Sequence, residues 1–369
     1  MEYLTLKDIA IINMGQSPNS KTYNDDKNGI PFYQGKSDFG KINPIPRVWC
    51  SNPIKIAEKD DILISVRAPI GDTNIATERC CIGRGLASIR PLNKNINQKY
   101  LYYLLNSKYN DLNKFGTGST FKAITKDNLC NLKCNKIPSI REQIEVVKKL
   151  DNVNQIIEIK KKQVKDLNTI IKSQFVEMFE NEKYTKIKLG EEFKISSGGT
   201  PSKNKEEYWN SNDISWIGSN MCQNKIIYEN DGKYISNSGL EHSSAKIYPI
   251  DTILVALVGA TIGKTALLKF ETATNQNIAG IQVSKRFNAE YVYFAIQNLY
   301  YKFTELSKGT FKMANLSFVR NLEIPMPPIE LQNQFAEIVK QIDKQKFEIE
   351  NSLKEMQELY ECLMEKYFG

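Results

Sequence analysis

Two rhythms of apolar and polar positions run along this chain, and each occurs twice. Short apolar runs at 62–66 (ILISV) and 253–258 (ILVALV) stand between clusters such as GQSPNS and SSGGTPS, the pattern of buried strands joined by turns. After Pro138, and again after Pro327-Pro328, the apolar steps change to three and four. Val146, Leu150, Val153, Ile157, Val164, Leu167, Ile171 and Met178 carry the first stripe, with Lys160 and Gln174 interrupting it. Phe335, Ile338, Ile342, Ile349, Met356, Leu359 and Leu363 carry the second, interrupted by Gln345 and Ser352. A stripe this narrow over roughly five heptads predicts a coiled-coil seam. The alternative is a helix lying on its own globular domain. Near-equal lengths make mutual packing the economical solution. As a continuous helix, 141–179 would be about 58 Å long. Two such helices side by side would hold the globular parts at opposite ends.

The strand-rich parts repeat as well. LKDIAIINMGQSP (6–18) matches LGEEFKISSGGTP (189–201) at Leu6/Leu189, Gly15/Gly198, Ser17/Thr200 and Pro18/Pro201. DDILISVRAPIGDT (60–73) matches DTILVALVGATIGKT (251–265), with one inserted residue. KYLYYLLNS (99–107) and EYVYFAIQN (290–298) echo each other and predict a short helix in each copy. GTGSTFKAI (116–124) pairs with SKGTFKMAN (307–315), and IPSIREQIEVVKKLD (137–151) with MPPIELQNQFAEIVKQID (326–343). Matching blocks in one order mark a duplication of nearly the whole chain. The boundaries expected are 1–138, a helix at 139–181, 182–326, and a second helix at 327–369.

GATIGKT (259–265), directly after an apolar run, resembles the start of a phosphate loop. That loop needs G-x-x-x-x-G-K-[ST] so that enough backbone N–H groups wrap the phosphates. Val258 stands where the first glycine is required. The repeat argues further against ATP, because Asp72 occupies the position of Lys264. Both copies keep Ile-Gly, so the shared role expected is a turn re-aiming the chain out of a sheet.

Composition narrows the chemistry. The chain has 369 residues, 41% hydrophobic and 25% charged, with no apolar run long enough to span a bilayer. MEYLTLKDIA does not read as a signal peptide, which points to the cytoplasm. Seven cysteines without C-x-x-C spacing read as reduced, structural thiols. The single histidine, His242, lies in GLEHSS with no nucleophile elbow, which argues against Ser-His or Cys-His catalysis. A net charge of +8 favours a polyanionic partner.

Two strand-rich domains, each followed by a long heptad helix, resemble the specificity (S) subunit of a type I restriction-modification system. The resemblance is carried by S-G-G-T-P at 197–201, Arg-Ala-Pro-Ile-Gly at 67–71, G-[ST]-x-F-K near 118–122 and 309–312, and I-P-x-P at 324–327. Phe121 and Phe311 depart from it, since family members often carry Gln there. The resemblance implies an α+β chain of two target recognition domains whose helices pack as an antiparallel coiled coil. It also implies a non-catalytic subunit that reads a bipartite site in double-stranded DNA. Two methyltransferase subunits would dock on it and restriction subunits would join them. S-adenosylmethionine, and ATP with Mg, would belong to those partners, with no cofactor, metal or membrane contact in this chain.

The absences agree. An adenine methyltransferase needs N-P-P-[YF] to hold a flipped base by stacking; Asn43-Pro44-Ile45-Pro46 and Asn52-Pro53-Ile54-Lys55 lack the aromatic residue. A paired-carboxylate nuclease site could be assembled from Asp60-Asp61 with a distant lysine, a match that chance supplies in any charged chain. Base readout needs Arg, Lys, Asn, Gln or Ser on loops. The first copy offers Gln34, Lys36, Ser37, Arg67, Arg79, Arg84, Thr117 and Lys122. The second offers Ser219, Asn220, Gln223, Asn224, Lys225, Lys264, Asn275, Gln276, Lys308 and Lys312. Singly, each reads as a solvated loop residue; their equivalence in both copies makes the collective case. Ile30-Pro-Phe-Tyr and Ile214-Ser-Trp-Ile read as buried strands, which places Trp216 in the core. The rival reading is a duplicated protein-binding scaffold on a coiled coil that recognises no DNA. Binding that weakens steeply with salt would separate the two.

Overall fold

A computed structural model describes residues 4–116, 122–180, 184–307 and 313–369. Contacts divide the chain into two compact units, Met1–Lys161 with Asn351–Gly369, and Lys162–Glu350. Each long helix is therefore shared between them.

In the first unit an antiparallel sheet runs Ala10–Met14, Leu86–Pro91, Ile62–Ser65, Thr73–Ile75. A second sheet runs Tyr23–Asn24, Val48–Cys50, Ile30–Tyr33, Cys80–Ile82, Ile56–Ala57. Within it, Ile30–Tyr33 and Cys80–Ile82 are parallel, Phe32 opposite Cys81 and Tyr33 opposite Ile82. The second unit repeats the plan: Lys194–Ser197, Ile278–Gln282, Thr252–Ala256, Thr265–Leu268 and Lys225–Ile227 in one sheet. The other runs Tyr234–Ile235, Ile214–Ile217, Thr272–Thr274, Ile247–Tyr248. Again one pair is parallel, Trp216 opposite Ala273 and Ile217 opposite Thr274.

The expected short helices form at Gln98–Ser107 and Ala289–Asn298, each started by an asparagine cap, Asn97 and Asn288. The glycine turn differs from expectation. It does not lead the chain out of its sheet; Thr73–Ile75 and Thr265–Leu268 return as antiparallel neighbours of Ile62–Ser65 and Thr252–Ala256. Gly71 and Gly263 turn the chain at φ +91° and +75°. That conformation, with Phe303 pressed against Gly263, excludes a side chain there.

The long helices span Ile140–Phe179 (the central helix) and Ile329–Phe368 (the distal helix). Within each unit they run antiparallel: Lys149 Nζ lies 3.3 Å from the Tyr367 hydroxyl in the first, and Lys346 Nζ 3.2 Å from Asn168 Oδ1 in the second. Val146, Leu150, Val153, Ile157, Ile171, Phe335 and Ile342 are buried, while Val164, Leu167, Ile338, Ile349, Met356 and Leu363 are half-buried. Leu359 corrects the expected seam, being 41% exposed. At 100° per residue it falls about 60° to the side of Met356, and Tyr360 takes the central place. Phe175 and Phe179, outside the expected stripe, are fully buried against Tyr291 and Phe335. Here the helix covers its neighbouring domain as well as the other helix, so the stripe widens. The two packing solutions weighed from the sequence coexist. Val146, Val147 and Leu150 join the first core together with Phe368.

Burial also accounts for the thiols. Cys50, Cys80, Cys81, Cys134 and Cys222 are buried, and burial pushes the Cys80 and Cys222 thiols up to about 12. Among the described residues no helix is long and apolar enough to cross a membrane.

Candidate nucleic-acid interface

Strand direction decides which loops meet. Because Ile30–Tyr33 and Cys80–Ile82 are parallel, the residues leaving both strands emerge at one end. Exposed Gln34, Lys36 and Ser37 follow the first strand, and exposed Arg84 follows the second. A third segment joins them, the backbone N–H of Gln16 donating to the Ile82 carbonyl (3.0 Å) and that of Arg84 to Ser17 Oγ (3.2 Å). The second unit repeats this. Ser219 and Asn220 follow Ile214–Ile217, Asn275 and Gln276 follow Thr272–Thr274, and the Gly199 N–H donates to the Thr274 carbonyl (2.8 Å). Thr200 Oγ1 donates to Gln276 Oε1 at 2.5 Å. Gly15 and Gly198 allow the close approach, since a Cβ on either would collide with the carbonyl of Gly83 or Thr274. Ser17 and Thr200 are matched positions of the repeat, yet their meeting with these loops depends on a strand pairing that no local pattern encodes.

The glycine turn is tied to the same loops. Lys36 Nζ pairs with Asp72 Oδ2 (2.7 Å), and Lys264 Nζ donates to Gln223 Oε1 (3.0 Å). Exposed Arg67 and Lys122 are neighbours, Arg67 bridging to Ala123 and the Ala68 N–H donating to the Lys122 carbonyl. Arg79 stands apart. It precedes Cys80–Ile82, so it sits at the other end of that strand, 3.6 Å from Glu58.

Several candidates are already engaged. Gln223 donates to the Asn220 carbonyl besides accepting from Lys264. Asn224, at φ +57°, accepts the Thr265 N–H (2.9 Å) and so pins the strand Lys225–Ile227 beside Thr265–Leu268. Lys225 pairs in register with Ala266. Thr117, Lys308 and Lys312, with Phe121 and Phe311, lie outside the described residues.

Sequence reasoning missed one part of the second unit. A cleft of about 750 Å³ is lined by Ser219, Asn220 and Asn275 together with Lys203, Trp209, Asn210, Trp216 and Lys233. Trp216 is 7% exposed and donates from Nε1 to the Gly199 carbonyl, as a core residue that also walls the cleft. Beside Asn220, burial works against the charge on Asp231, but the Lys233 ammonium and the Asn220 amide outweigh it and hold the carboxyl below its usual range. The signal was KNKEEYWN at 203–210, basic and aromatic residues directly after the S-G-G-T-P block.

Both units thus present a duplicated α+β frame that gathers exposed cationic and amide side chains at the ends of a parallel strand pair. The profile of the type I restriction modification DNA specificity domain matches residues 1–169 and again 181–359. The chain belongs to that family. It is 43% identical over 152 residues to the putative type I restriction enzyme MjaX specificity subunit of Methanocaldococcus jannaschii, covering 41% of this chain and 36% of that protein. It is 26% identical over 267 residues to the EcoR124I/EcoR124II specificity subunit of Escherichia coli, covering 66% and 63%. The chain therefore spans less than two thirds of either relative. The crystal structure of the S subunit from M. genitalium superposes with a TM-score of 0.61 at 16% identity, over 100% of this chain and 96% of that one. A chain from a structure describing complex assembly and conformational transition of the type I R-M system gives 0.64 at 17%. At such identities the likeness establishes the fold, two duplicated strand-rich domains each followed by a long helix.

Proposed function

We propose that this protein is the DNA-reading subunit of a type I restriction-modification complex and is not itself an enzyme. Each domain reads one part of a split target in double-stranded DNA. Two methyltransferase subunits dock on the chain and restriction subunits join them. S-adenosylmethionine, and ATP with Mg, are bound by those partners, in the cytoplasm.

One observation carries this reading. Loops of unrelated local sequence converge on the same place in both domains and offer Gln34, Lys36, Arg84, Arg67 and Lys122 in one, Ser219, Asn220, Asn275 and Lys264 in the other. A duplicated frame with divergent polar tips suits two different half-sites, because specificity resides in side chains reaching base edges. Relatives named specificity subunits of type I restriction enzymes support the same assignment.

The test is duplex binding across a salt series. Affinity is expected to fall on the order of a thousandfold between 50 and 200 mM salt, as phosphate contacts release counterions. Binding that ignored salt, or no binding by the chain with its methyltransferase, would leave the protein-scaffold reading in its place.

A further inference from the structure

The aromatic pair that walls the cleft of the second unit meets differently from its match in the first. Trp209 caps the short helical turn Glu206–Tyr208, as Tyr23 caps Ser20–Thr22. Trp216 faces Ala273 across the parallel pair, as Phe32 faces Cys81. Tyr23 and Phe32 stack, their centroids 4.7 Å apart and their planes at 30°. Trp209 and Trp216 instead meet edge to face, at 5.2 Å and 85°. Stacking covers one face of each ring, whereas an edge-on pair covers one face in all. Trp216 is held in the core, and half-buried Trp209 is anchored through Nε1 to the Ser202 carbonyl (3.2 Å), so its indole forms an open wall of the cleft.

Opposite polar groups flank Gly218. A Cβ there would stand 2.6 Å from Asn220 Oδ1 and 3.7 Å from Asn275 Nδ2, so both atoms border one point. Asn220 spends its Nδ2 on Asp231, and Asn275 spends its Oδ1 on the Asn277 N–H. A free acceptor and a free donor remain. That pair complements a base edge offering a donor beside an acceptor, as adenine does at N6 and N7. Exposed Lys203 adds a cation at the rim.

Concavity decides how such an edge would arrive. A base pair inside a duplex is read by side chains that protrude into a groove; a cleft of about 750 Å³ cannot enter one. A base outside the stack fits a cleft with an aromatic wall and edge-reading amides. We propose that this cleft holds a nucleobase swung out of a nucleic-acid strand, stacked on Trp209, with Asn220 and Asn275 reading its edge. The assignment rests on the DNA-reading role above and adds to it a site in the second domain.

The experiment uses the full chain and two labelled duplexes of one sequence, fully paired or carrying a single unpaired adenine. The unpaired base avoids most of the cost of flipping. Affinity for it should be about tenfold higher, the order expected of one stacked base, with tryptophan emission quenched on binding. Trp209→Ala should remove the preference and leave affinity for the paired duplex unchanged, whereas Asn220→Ala, at a residue of the reading surface itself, should remove the preference whatever it does to the paired duplex. Equal affinity for both duplexes, or a preference intact in both variants, overturns the proposal. If neither duplex binds, the DNA-reading role fails instead, and a titration with dAMP decides the cleft alone. Quenching of tryptophan emission that Trp209→Ala abolishes keeps the nucleobase assignment with a free nucleotide as its source; no quenching overturns it.

Discussion

Lys36 Nζ stands 2.7 Å from Asp72 Oδ2, joining the loop after one strand to the glycine turn of the neighbouring sheet. In the second unit the residue at the position of Asp72 is Lys264, and it reaches the same kind of loop through Gln223 at 3.0 Å. The connection survives the duplication although the charge at its centre is reversed. Exposed pairs of this kind contribute about 1 kcal/mol at most. Their consequence is orientation, holding the loop tips where the parallel strands end.

Lys264 therefore has a structural partner, and its segment has the wrong continuation for a phosphate loop. Thr265 begins a strand rather than a helix, so the turn does not lead into the helix N-terminus that a phosphate loop uses. The isolated chain is expected to bind and hydrolyse no ATP, and Lys264→Ala to leave that unchanged. Calorimetry checks it. A micromolar Kd for ATP that disappears in the variant would contradict the argument.

Duplicated frames with separate cores should exchange as modules. The main cores of the two units draw on different strands, Ile62, Ile64 and Ile89 in one, Ile253, Val255 and Ile281 in the other. Replacing 182–325 with the matching segment of a related subunit is expected to change one half of the methylated motif and preserve the other. Methylome sequencing of cells carrying the chimera reads both halves at once. Simultaneous change in both would mean that the domains do not read independently.

Much of this architecture was legible because it is periodic. The strands at 62–65 and 252–256, the helices beginning near 98 and 289, and the duplication itself all leave local signatures. What escaped depends on contacts distant in sequence. Arg79 and Arg84 flank one three-residue strand and look equivalent on paper, yet the strand's direction sends them to opposite ends. Phe175 and Phe179 were hidden by a strict heptad, which describes a helix facing one partner and not one facing two. Trp216 was assigned to the core correctly, while the free wall made by Trp209 depends on an interplanar angle that composition does not encode.

One buried glutamine fixes the root of each long helix and invites a stability measurement. Gln143 is fully buried; its Oε1 accepts the Asn97 N–H (2.7 Å), and its Nε2 donates to the carbonyls of Asn95 and Pro138. Gln332 repeats the arrangement with the Asn288 N–H and the Pro327 carbonyl, both at 2.9 Å. Each ties its helix to the residue that begins or caps the domain's short helix. Alanine at either position strands a buried N–H and at least one carbonyl, at a cost of about 1–3 kcal/mol per orphaned group. Denaturant titration of Gln143→Ala and Gln332→Ala should show losses of this order. A change below about 0.5 kcal/mol would mean that water replaces the amide without penalty.

The central helix offers the most direct test of how two half-sites are spaced. Its 40 residues, Ile140–Phe179, would extend about 60 Å as a straight helix, and the division between the compact units falls at Lys161 and Lys162. Four residues inserted after Lys162 add about 6 Å and rotate the downstream part of the helix by one helical turn plus about 40°. A matching insertion after Glu350 lengthens the distal helix equally, so that neither outgrows the other. At about 3.4 Å per base pair, 6 Å corresponds to between one and two base pairs of B-DNA. If helix length spaces the two readers, the variant should methylate the same two half-sites with one or two additional unread base pairs between them. The small residual rotation keeps each reading surface close to its groove, so activity should be reduced but not lost. An active variant whose methylated motif kept the original spacer would show that something other than helix length fixes the distance.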